Sequence, residues 1–236
     1  MAAIKHKTKL KETINKLSIW LIVVIALLVV FNQWQISGIA SRFAATGIST
    51  TSSSTTSGST AVSSSNLQSS VIPTGVPRIY GAEFGLSYDD ISSNDARKTQ
   101  AAINKMGVYD KSITLTGDDL QRYIAVGMQI SCEYCCGAEA IIFKNGAAAC
   151  GCAHSGAMRG LAKYLISKHP NDFTNDEILE ELGKWKTLFF PGIMTQKAAV
   201  LQSKGIEFNY INLASNKYRG IEKGATSSGG AMVGGC

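Results

Sequence analysis

Five of the six cysteines of this chain lie within 21 residues, in two groups: Cys132-Glu-Tyr-Cys135-Cys136-Gly137 and Cys150-Gly-Cys152-Ala-His154. Sulfur this dense restricts the fold. It is used as a shared ligand set for a metal ion, as disulfides, or as a redox pair, and each use needs the groups side by side. Between them stands Asn145-Gly146, the strongest short hairpin signal, because both turn positions tolerate positive φ. With a two-residue loop, Phe143 faces Ala148, Ile141 faces Cys150 and Glu139 faces Cys152. The two cysteine groups then become neighbours.

The chemistry of that juxtaposition has several readings. CxxCC followed by CxCxH offers thiolate sulfur and imidazole nitrogen at spacings that close on one ion. The candidate ligands are Cys132, Cys135, Cys136, Cys150, Cys152 and His154. Zinc and copper(I) suit this donor set, and a [2Fe-2S] cluster fits four thiolates. Alternatively, Cys135 or Cys136 pairs with Cys150 or Cys152 as a disulfide that staples a surface domain. A third reading is a thiol–disulfide oxidoreductase using Cys132-x-x-Cys135 or Cys150-x-Cys152, though no thioredoxin-type βαβ pattern surrounds either pair. Cys236 could reach the site or couple to a partner.

Composition divides the chain. Residues 1–16 carry five lysines and one glutamate and read as a cytoplasmic basic arm. Residues 17–31 are apolar apart from Ser18, and with the stretch to Ile39 they predict a single transmembrane anchor over 17–39. Trp20 and Trp34 are placed to mark its two interfaces. The lysines ahead of it predict a cytoplasmic N-terminus and an extracytoplasmic C-terminal domain at the cell membrane. A cleavable signal peptide ending near Gly38-Ile-Ala40 is the competing reading. Residues 40–70 are rich in Ser and Thr and read as a flexible linker. Residues 71–223 have a globular composition, and 224–236 read as a flexible tail.

The expected fold is α+β, mostly helical, with a cysteine-bearing β-hairpin. Helices are expected from Ser93 to Met106, ended by Gly107, and from a Thr116–Asp119 capping box to about Val126. Another starts near Ser155, with Met158, Leu161, Ala162, Leu165 and Ile166 on its buried face. Thr174–Glu177 reads as a capping box opening a helix that stops before Pro191. Thr195 to Lys204 predicts a helix, and the alternation over 207–213 predicts a late strand.

The stretch from about Ile130 to Leu182 resembles the family of exported, often lipid-anchored prokaryotic proteins named for a PCYCGC motif. The shared elements are the cysteine knot, the Asn145-Gly146 turn, Cys150-Gly151-Cys152 leading into a helix at Ala157 to Leu165, and Asp176-Glu177-Ile178. CEYCCG stands in place of the alternating C-x-C-x-C, and Ser131 in place of proline. The resemblance implies an exported, cysteine-rich, metal-type domain.

Other functions find no support in the residues. Beyond the basic arm the chain has 18 basic and 16 acidic residues, no electrostatic footprint for nucleic acid. No GxSxG, P-loop, HExxH or GxGxxG pattern occurs. The expected partners are therefore the membrane and a metal ion.

Overall fold

Among the described glycines, Gly160 stands nearest to another backbone. A Cβ there would lie 1.9 Å from the carbonyl oxygen of Met106. Only glycine lets these two helices cross at this separation. In this computed structural model, residues 70–223 and 232–234 are described. They contain seven α-helices: α1 (Tyr80–Phe84), α2 (Ala96–Ser112), α3 (Gly117–Gly127), α4 (Ala153–Lys168), α5 (Asn175–Phe189), α6 (Pro191–Ser203) and α7 (Tyr210–Ala214). Short 3-10 turns occupy Tyr88–Asp90 and Asn216–Tyr218. The α2–α4 pair is the centre, and α4 also meets α3 and α5.

The expected buried face of α4 is present. Met158, Leu161, Ala162, Leu165 and Ile166 are wholly inaccessible to water. On α5, Ile178, Leu179, Leu182, Trp185 and Phe189 complete the core. Each such side chain is worth about 1.5–3 kcal/mol relative to exposure. The start of α5 is the expected capping box: Thr174 accepts from Glu177 N–H, and the Glu177 carboxylate accepts from Thr174 N–H. A polar network is buried beside it. The Glu181 carboxylate accepts from the hydroxyls of Tyr80 (2.7 Å) and Tyr88, and Trp185 Nε1 donates to Tyr80 at 2.8 Å.

Several local expectations change. Helix α2 runs past Gly107 to Ser112, since α4 packing outweighs the roughly 1 kcal/mol cost of an interior glycine. Thr116 precedes α3 but makes no side-chain cap. Helix α6 begins at Pro191, whose missing N–H costs nothing at a first helical position. The strand expected over 207–213 is absent. Asn209 instead accepts from Asn212 N–H and opens α7.

The hairpin survives only in reduced form. No sheet occurs among the described residues, and the turn region has a single antiparallel bridge, Ile142 with Ala148. The loop has three residues: Phe143 accepts from Gly146 N–H at 2.9 Å and donates to Ala147 at 2.7 Å. Gly146, at φ 81°, takes the left-handed position that follows a type I turn. The pairing is thus shifted by one residue from the two-residue-loop expectation. The expected anchor over 17–39, the arm 1–16, nearly all of the linker and Cys236 lie outside the described residues. Among the described residues, no helix is long and apolar enough to cross a membrane.

Candidate metal centre

Two arginines hold the cysteine loops in place. The loop carrying Cys132, Cys135 and Cys136 leaves and returns at Ile130 and Ile141, joined by Ile141 N–H to the Ile130 carbonyl at 2.9 Å. Arg219 donates to the carbonyls of Gly137 and Ala138, each at 3.0 Å. Arg159 of α4 donates to the carbonyls of Cys150 (2.8 Å) and Ile141 (3.3 Å), tying the second cysteine group to the turn. Asp110 of α2 fixes that arginine, 2.6 Å from its Nη2. Fork-shaped guanidinium groups suit this task, since each can satisfy two carbonyls at once.

The six sequence candidates separate into two groups. Cys132, Cys135, Cys152 and His154 offer donor atoms all within 4.8 Å of one another, as do Cys136, Cys150 and Cys152. Either group could hold a metal ion. However, Cys136 and Cys150 form a disulfide with Cα atoms 6.7 Å apart, which removes their sulfurs from any ligand set while it persists. Cys135 is also disulfide-bonded. Cys132 and Cys152 are thiols. The donors available together are Cys132, Cys152 and His154, with Cys135 joining on reduction.

Each of the three has a distinct placement. Cys152 is the N-cap of α4, and its sulfur accepts from Ser155 N–H at 3.4 Å. Cys132 is fully buried, and its sulfur lies 3.5 Å from that of Cys152. His154, in the first turn of α4, is fully buried against the rings of Phe189 and Phe190, centroids 4.5 and 5.4 Å away. Its Nε2 lies 2.8 Å from the Val233 carbonyl. When Nε2 donates there, Nδ1 carries the lone pair, the form a metal requires.

The two thiols ionise unequally. The S–H of Cys132, and then Ser155, hold Cys152 far below the ordinary thiol value, against the opposing effect of burial. Hydrogen bonding to Cys152, then burial, pushes Cys132 upward. One thiolate, at the positive end of a helix dipole, is the stable state of the pair.

Two features near the site stand on contacts distant in sequence. The segment 232–234, placed in the tail by composition, is docked here: Val233 is buried and donates to the Phe189 carbonyl at 2.8 Å. The signal available was a Met232-Val233 pair in a glycine-rich stretch. The second is a buried charge cluster. Lys186 and Lys197, both with fully buried side chains, approach Glu133 at 3.0 and 3.9 Å, and Arg219 approaches it at 3.3 Å. Burial lowers Lys186 to about 8 despite Glu133. Glu133 is itself held below its ordinary value, because the lysines outweigh its own burial.

No family model matches the chain, and neither curated proteins nor solved structures provide a match.

Proposed function

We propose that this chain is a membrane-tethered, extracytoplasmic metal-binding protein whose ion is held by Cys132, Cys152 and His154. The carrying observation is the convergence of two thiol sulfurs and one imidazole in a largely buried site, on residues brought together across 23 positions of sequence. Two sulfurs and a nitrogen suit copper(I) or zinc. With Cys135 reduced, the set becomes three sulfurs and one nitrogen, a zinc-type tetrahedron. Membrane attachment and export are read from the apolar run over 17–31, extended to Ile39 as an anchor, and the lysines before it. The resemblance to PCYCGC-motif proteins supports the same reading.

The protein's own residues do the following. Arg159 and Arg219 fix the loops, the Val233 carbonyl sets the histidine tautomer, and Ser155 N–H favours the thiolate. An ion would supply the bond that joins the two loops. Metal content and free-thiol count, measured on one sample purified without added metal, test the proposal. About one equivalent of zinc or copper per chain supports it. No metal, with every thiol oxidised, removes it.

One observation favours a second reading. The 3.5 Å contact between Cys132 and Cys152, with the latter at a helix N-terminus, also suits a thiol–disulfide redox pair. Turnover of a model disulfide by metal-free protein would support it.

A further inference from the structure

Cys152 has a second neighbourhood. It forms part of the wall of a cavity of about 370 Å³ between α2 and the start of α4. One side is the α2 stretch holding Gly107, Val108 and Lys111; the other holds Gly151, Cys152 and Gly156. Val108, Lys111 and Gly151 at the rim are exposed. Cys132 and His154 are closed to solvent, and neither borders this cavity.

Building on the metal-binding reading, we infer that the cavity admits a small anionic thiol, which exchanges the ion by displacing Cys152. Three observations carry this. Cys152 is the one member of the Cys132–Cys152–His154 group that both faces the cavity and is part-exposed. The volume matches a small-molecule site, of which ~300–1,000 Å³ is typical. The charge suits an anion: the wall carries Lys111 and Arg159 against Asp110 alone. The N-terminus of α4 adds its positive end.

The exchange balances without any oxidant. The incoming thiol loses its proton to solvent, and its sulfur bonds the ion. The bond from the ion to Cys152 Sγ breaks, and the ion keeps its oxidation state. The freed Cys152 thiolate remains held by Ser155 N–H. Cys132 and His154 stay bonded until a second thiol arrives.

Gly107 provides the test. A Cβ at this helical position meets nothing within 4 Å, so a side chain can grow into the cavity without displacing the core. The full-length protein is loaded with copper(I) or zinc, and transfer to mercaptosuccinate is timed for wild type, Gly107→Ala, Gly107→Trp and Lys111→Glu. Gly107→Trp should slow transfer about tenfold. Lys111→Glu should slow it roughly threefold at low salt, an effect lost at high salt. Gly107→Ala should match wild type, and equilibrium metal affinity should hold in all three variants. Neutral 2-mercaptoethanol, at matched thiolate concentration, should transfer more slowly and ignore Lys111→Glu. Unchanged rates in both Gly107→Trp and Lys111→Glu, with metal still bound, overturn this inference and leave the binding site standing. Absence of bound metal removes both.

Discussion

The sulfur of Cys132 lies 3.5 Å from that of Cys152, across 20 residues of sequence, and the two thiols differ in burial and in charge. Cys132 is enclosed by the core. Cys152 caps a helix and reaches solvent. This asymmetry gives one sulfur the role of fixed anchor and the other that of exchangeable ligand.

Reactivity should report that asymmetry. Cys152 stays ionised well below the ordinary thiol range, so alkylation at this residue should be nearly flat between pH 5 and 8. A normal thiol gains about tenfold per pH unit there. Mass spectrometry after brief iodoacetamide treatment of metal-free protein would locate the label. Labelling first at Cys132, or a tenfold rise per unit at Cys152, would contradict the assignment.

The disulfide and the metal group should separate by mutation. The Cys136→Ser, Cys150→Ser double variant opens a short loop and should lose about 3 kcal/mol of stability. Its metal content should not change. Cys132→Ser and Cys152→Ser should each abolish binding. Metal stoichiometry and urea unfolding on the same preparations decide this.

His154 combines packing with ligation. His154→Ala leaves a void against Phe189 and Phe190 and should cost about 2–4 kcal/mol. His154→Gln fills more of that space and should recover much of the stability, yet metal affinity should stay at least tenfold down. Recovery of affinity together with stability would make the imidazole a packing group only.

The charge cluster predicts a pH dependence of definite sign. Lys186 falls to about 8 in the folded chain from 10.5, so between those values the unfolded chain holds more protons, and stability should climb as pH rises. Glu133 is lowered, so its contribution should fade as pH drops through its folded value. Glu133→Gln strands two buried ammonium groups and should cost about 3–5 kcal/mol at pH 7. Adding Lys186→Met should restore part of that loss. Thermal melting from pH 4 to 10 measures all three effects.

The sequence made some of this legible, and the reasons are physical. The α4 face and the Thr174 cap depend on spacing within one turn, so periodicity and local hydrogen bonding reveal them. The neighbourhood of the two cysteine groups followed from Asn145-Gly146, although the real loop takes three residues because Gly146 occupies the left-handed position. What stayed hidden depends on contacts distant in sequence. Gly107 could not announce that α4 would carry α2 past it. Lys186, on a helix with a clean cap, gave no hint of pointing inward to Glu133, 53 residues away. Asn209 caps a helix inside a segment whose alternation suggested a strand.

X-ray absorption on the metal-loaded full-length protein tests the central claim most directly. With Cys135 oxidised, the ion should show two sulfur neighbours at about 2.3 Å and one nitrogen near 2.0–2.1 Å, and reduction should add a third sulfur. A shell of oxygen and nitrogen without sulfur, or a spectrum unchanged in Cys152→Ser, would contradict it.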